Sequence, residues 1–187
     1  IADEIERLLR RVQKVYGDFG LTPEMKLSTR PEQYLGEKAT WDHAESELKK
    51  ALARAGQAYA INAGDGAFYG PKIDFSVTDA IGRKWQCATI QLDYQLPQQF
   101  KLKYIGADNA EHSPVVIHRA IFGSIERFTA LLLEHHAGAL PLWFAPVQAI
   151  VLPIADRHLE YARSVRDRVV AAGLFVELDE RQEKIGY

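Results

Sequence analysis

Apolar residues recur at helical spacing at the start of the chain. Ile5, Leu8, Leu9, Val12, Val15 and Tyr16 share one face, and Glu4, Glu6, Arg7, Arg10 and Arg11 take the other. The pattern predicts a helix over 2–16, stopped by Gly17 and Gly20, with its arginines on a solvated face. A short strand over 26–28 follows. Thr40 is placed as the cap of a second helix reaching about residue 55, with Ala44, Leu48, Ala51 and Leu52 inward and His43 on its surface. From Ala58 the pattern changes to strands: AYAIN, the turn-rich GDGAFYGPK, IDFSVTD, a turn at DAIG, and the long KWQCATIQLDY, together an antiparallel sheet. Residues 94–113 read as loop.

The stretch PVVIHRAIFGSIERF, 114–128, organises the rest. Val115, Val116, Ile117, Ala120 and Ile121 suit a strand buried on both faces, so the polar members His118 and Arg119 need a reason to be there. Gly123 permits a sharp turn, Ser124 is an N-cap, and a helix running to about residue 135 carries Glu126 and Arg127 in its first turn. A helix start beside an arginine favours an anion, although the same arginine could pair with a neighbouring carboxylate on an amphipathic helix. His118 reads either as a hydrogen-bonded core histidine or as a ligand. In the long strand, Gln86, Thr89, Gln91 and Asp93 sit among apolar residues. Strict alternation puts Thr89, Gln91 and Asp93 on one face and Gln86 on the other, so Gln86 and Thr89 can serve one ligand only if the strand bulges near Cys87. Beyond Pro141 and Pro146, VQAIVLPI, DRHLEYARSVRDRVVAAG and LFVELDE form a strand, a helix and a second strand. That is one βαβ unit opening a second domain, too little by itself for a covered sheet.

Composition narrows the picture. The 187 residues are 47% hydrophobic and 26% charged with a net charge of −2, which fits a globular chain with one good core and argues against a surface coated with basic residues. The single cysteine, Cys87, allows no internal disulfide and suits a reducing cytoplasm; as a site it reads as a small buried residue. No apolar run reaches the length that spans a bilayer, and no membrane partner is expected. Ile1 opens inside a helical pattern and EKIGY closes without a stop signal, so the chain is expected to be a piece of a longer one. No paired-cysteine or two-histidine spacing announces a metal.

GDGAFYGPKIDF at 64–75, WQCATIQLDY at 85–94 and HRAIFGSIERF at 118–128 resemble the threonyl-tRNA synthetase family, and the last is similar to the third signature motif of class II aminoacyl-tRNA synthetases. The resemblance extends from KLSTRPEQYLG at 26–36 to LWFAPVQAIVLPI at 142–154 and on into RQEKIGY. It implies an α+β architecture: a class II antiparallel sheet with flanking helices over 1–144, the C-terminal part of a catalytic domain, then over 145–187 the start of an α/β anticodon-binding domain. The implied parent activity is ATP-dependent ligation of threonine to its tRNA through threonyl-adenylate, in a cytoplasmic homodimer. Implied partners are threonine, tRNA and ATP with magnesium. Carried over by position, His118 is one of three zinc ligands, and Tyr69 and Gln91 border the threonine. Gln86 and Thr89 lie near ATP, Arg127 lies against the nucleotide and stabilises charge, and Lys72 assists as a second cation. Two other readings stay open: a non-catalytic synthetase-derived tRNA- or ligand-binding module, and another class IIa synthetase such as the prolyl or histidyl enzyme, which would not need His118 on zinc.

Overall fold

The structure is a computed structural model, and it describes residues 1–181; the last residues of the resemblance, 182–187, lie outside the described residues. It divides into two compact units, one over Ile1–His135 and one from His136 onward.

The first unit is built on a five-stranded sheet in the spatial order β2 (Ala60–Asn62), β1 (Glu24–Ser28), β3 (Lys72–Thr78), β4 (Lys84–Asp93) and β7 (Val116–Ala120). The successive pairs of β1, β3, β4 and β7 are antiparallel. Strand β2 (Ala60–Asn62) departs from the expected arrangement, because it pairs parallel with β1. The helix between them makes the connection a crossover, which returns the chain in the same direction.

One face of the sheet is apolar. Leu27, Ile73, Phe75, Ala88, Ile90 and Leu92 are wholly buried, as are Ile5, Leu9, Val12 and Tyr16 of α1 (Ala2–Asp18) and Leu48, Ala51 and Leu52 of α2 (Lys38–Arg54). The predicted stripes therefore form the core. Thr40 is not the cap of α2; Glu37 holds that position, and the Thr40 N–H already donates to the Glu37 carbonyl inside the first turn. Residues 94–113 are more ordered than a loop. They hold α3 (Gln95–Gln99), whose first N–H groups donate to Asp93, and a hairpin of β5 (Tyr104–Ile105) and β6 (Glu111–His112).

Strand β7 is also not enclosed on both faces: it is the last strand of the sheet among the described residues, and Arg119 and Ala120 are exposed. Helix α4 (Ile125–His135) follows it, packing Phe128, Leu131 and Leu132 inward. In the second unit, β8 (Ala149–Val151) and β9 (Val176–Leu178) pair in parallel around α5 (Leu159–Ala171), the βαβ unit read from the sequence. Among the described residues no helix is long and apolar enough to cross a membrane.

Candidate active site

The register of the sheet collects polar side chains on the face opposite the core. Ser28 pairs with Lys72, Lys72 with Gln91, and Gln91 with His118, so one cross-strand row carries all four. The next row joins Lys26, Asp74, Thr89 and Ala120. Gln86 belongs to this face as well. Pairing passes from Phe75–Ala88 to Ser76–Gln86, leaving Cys87 as an extra residue in β4; this bulge is the irregularity that a shared role for Gln86 and Thr89 demands. Both side chains reach the same atom: Gln86 Nε2 donates to Asp74 Oδ1 at 2.6 Å, and Thr89 Oγ1 donates to it at 3.0 Å. Cys87 is buried and its thiol pKa is pushed up by burial, which leaves it inert rather than nucleophilic.

Two clusters lie along this face. In the first, Tyr69 Oη donates to Gln91 Oε1 at 2.8 Å, Gln91 Nε2 donates to the Gly70 carbonyl at 3.3 Å, and the Tyr69 ring meets the His118 ring edge to face at 5.5 Å. His118 Nε2 lies 2.9 Å from Asp93 Oδ2, so that nitrogen carries the proton, and the fully buried Asp93 spends its other oxygen on the N–H groups that open α3. Burial and then the nearby Asp93 charge raise the Tyr69 pKa, so its hydroxyl stays a donor. Gly70 allows the close approach here: a methyl on it would lie 1.9 Å from the Leu92 carbonyl oxygen.

The second cluster is cationic. Lys72 Nζ lies 2.9 Å from Asp74 and 3.4 Å from Asp65. Burial lowers the Lys72 pKa, but its partners Asp74 and then Asp65 outweigh that and raise it, which keeps the ammonium charged. Arg127 stands in the first turn of α4, where its N–H donates to Ser124 Oγ at 3.3 Å, the N-cap read from the sequence. Its guanidinium donates to the Gln86 carbonyl at 2.6 Å and lies 5.8 Å from the Trp85 ring centre. Among the described residues it makes no salt bridge with a carboxylate.

On the sheet face or at its rim, Tyr69, Gln91 and His118 therefore form one group and Lys72, Gln86 and Thr89 the other, while Arg127 reaches the backbone carbonyl of Gln86 from α4. Asp74 and Asp65 were missed. Asp74 alternates with Ile73 and Phe75 along a strand, a pattern that a solvated polar face explains equally well. As for a metal, no group of three His, Cys, Asp or Glu side chains able to hold one occurs among the described residues. His118 is a single imidazole, so these residues do not by themselves make a zinc site.

Residues 1–136 match the family model described as the tRNA synthetase class II core domain (G, H, P, S and T), and residues 148–187 match an anticodon binding domain. The chain belongs to the class II aminoacyl-tRNA synthetase core family. Within it, the chain is 57% identical over all of its 187 residues to the threonine--tRNA ligase of Symbiobacterium thermophilum, and 59% identical over 97% of its length to that of Myxococcus xanthus. It spans only 29% and 28% of those two proteins. The crystal structure described as the RNA binding domain of threonyl-tRNA synthetase from Cryptosporidium parvum Iowa II superposes with a TM-score of 0.91 at 44% identity, covering 99% of this chain and 47% of that one.

Proposed function

We propose that this chain belongs to a threonine–tRNA ligase and supplies the threonine-facing and nucleotide-facing sides of its adenylation site, with the start of an anticodon-binding unit following in the sequence. The observation that carries the reading is the bulge at Cys87, which turns Gln86 onto the face of Thr89, Gln91 and His118 and puts its carbonyl under Arg127. Threonine lies against Tyr69 and Gln91. Its carboxylate oxygen attacks the α-phosphorus of magnesium-bound ATP, the bond to pyrophosphate breaks, and the electron pair leaves with pyrophosphate. No protein base is needed, because the nucleophile is already an anion. Lys72 and Arg127 stabilise the charge that grows on the phosphate oxygens, and positioned cations are the main tool for such a step. His118 offers one zinc ligand. Further ligands would have to come from length of the relatives that this chain does not span, and no step is routed through the ion. The anticodon unit would hold tRNA, and the family resemblance extends the reading to a cytoplasmic homodimer.

Threonine-dependent ATP–pyrophosphate exchange by the full-length protein carrying this sequence tests the proposal. Arg127→Ala should cost about 3 to 4 kcal/mol of transition-state stabilisation, a fall of some 100- to 1000-fold, with folding intact. A change of only a few-fold would remove Arg127 from the site. Exchange supported by proline or histidine in place of threonine would move the chain to a sister enzyme.

A further inference from the structure

We infer that Asp74 is a positioning residue for adenylate formation: its buried carboxylate fixes Lys72, Gln86 and Thr89 as one array presented to the nucleotide. The inference rests on the adenylation reading above and adds to it a residue that touches neither substrate.

Asp74 sits mid-strand in β3 and is only 4% exposed. Its oxygens are saturated. Oδ1 accepts from Gln86 Nε2 at 2.6 Å and Thr89 Oγ1 at 3.0 Å, and Oδ2 accepts from Ser28 Oγ at 2.8 Å and Lys72 Nζ at 2.9 Å. A carboxylate has about four lone-pair sites, and all are used. This is no solvated ion pair, since the Lys72 and Asp74 side chains are 17% and 5% exposed. The arrangement dictates what each partner has left. Gln86 spends its side-chain N–H2 on Asp74 and on Thr89 Oγ1 at 3.2 Å, and its backbone carbonyl accepts from Arg127, so its side-chain Oε1 is the atom that remains for a ligand. Lys72 gives N–H bonds to Asp74 and Asp65 and retains one to give. A bare carboxylate would repel a triphosphate. Asp74 instead lies behind its donors, and the Lys72 charge offsets its own.

The charged or titratable groups facing Lys72 are Asp74 on its own strand and Asp65 and Tyr69 on the preceding loop. Removing the Asp74 charge leaves the ammonium half-buried with one weaker partner, so its titration must fall. Two measurements test the inference. On the 187-residue chain, reductive 13C-methylation with Lys72→Arg as the assignment control follows the Lys72 titration by NMR; Asp74→Asn should lower it by about one pH unit or more. In the full-length protein, Asp74→Asn should lower kcat/KM for ATP in pyrophosphate exchange about 100-fold, while KM for threonine stays within about 3-fold. Asp74→Glu keeps the charge but displaces it, and should recover about tenfold of the loss, leaving it about tenfold below wild type. A Lys72 titration that does not move, or ATP kinetics in Asp74→Asn within about 3-fold of wild type, overturns the inference. Should Asp74→Asn fail to fold, Asp74→Glu carries the test. It should then hold the Lys72 titration and lose about tenfold in kcat/KM for ATP, and wild-type kinetics there overturn the inference. If the wild-type protein shows no threonine-dependent exchange, the proposed function fails by itself, and the lysine titration still decides whether Asp74 governs Lys72.

Discussion

At Gly123 the backbone takes a φ of 71°, and a methyl added there would lie 2.8 Å from the Cys87 carbonyl oxygen and 3.1 Å from Arg127 Nη2. Any other residue is strained in that conformation, and here the space is also taken. Gly123→Ala should therefore destabilise the protein by about 1 to 2 kcal/mol, read as a Tm lowered by roughly 3 to 8 °C. It should also displace the guanidinium, so pyrophosphate exchange should fall by more than the loss of folded protein explains. Equal losses would mean that Arg127 is placed by the rest of its helix. The residue types of this site were open to reading from the sequence, because His118, Gln86 and Arg127 stand out where apolar neighbours surround them. Their partners were not. Asp93 and Asp74 look like ordinary polar members of strands until the register shows which donors converge on them.

The hairpin joining β3 to β4 shows what an element adds. Asp79 sits at its turn, where Oδ1 accepts from the N–H groups of Ile81 and Arg83, and Oδ2 accepts from Arg83 Nε at 2.6 Å and the Trp85 indole at 2.8 Å. Burial alone would raise the Asp79 pKa, but the indole and then the Arg83 donors outweigh it and hold the carboxyl far below the usual range. A depressed folded-state pKa gives stability that is complete above the ordinary aspartate value near pH 4 and is lost as the pH falls below it. The Trp85 indole N–H resonance of the folded protein should accordingly hold its position well below about pH 4 and move toward the free-tryptophan position only in stronger acid, where the depressed carboxyl at last takes up its proton. In Asp79→Asn that acid dependence should be absent, and an identical profile in the variant would assign the change to another group. The alternation of β3 and β4 was plain in the sequence, and so was the need for a bulge, since two residues three apart cannot share a face in a regular strand. The parallel pairing of β2 was not plain, because direction depends on the path of the intervening helix. Helix α3 escaped notice because Asp93, whose carboxylate accepts from its first N–H groups, belongs to the strand before it.

At the scale of the molecule the two units differ in how much apolar surface they bury. The first encloses wholly buried side chains from α1, α2, β1, β3 and β4. In the second, Ile150, Leu152, Ile154 and Phe175 remain 54%, 65%, 73% and 68% exposed, and Ala162 is the one buried residue of α5. A two-stranded parallel sheet with one helix is too small to outweigh its chain entropy comfortably. Amide exchange at Ala149–Val151 should therefore be faster by orders of magnitude than at Ile73 or Ile90 in a dilute monomeric sample of the chain, and equal protection would defeat this expectation. The row Ser28, Lys72, Gln91 and His118 has a consequence for shuffling this chain with relatives. Its members come from four strands, so they cannot be moved as a loop or excised as a peptide. A chimaera with one crossover between positions 28 and 118 joins strands of different parentage through the middle of the site, whereas a crossover after α4 passes the whole row on from one parent. Recombinants of the second kind are the ones in which differences between parents can be traced to a single unit.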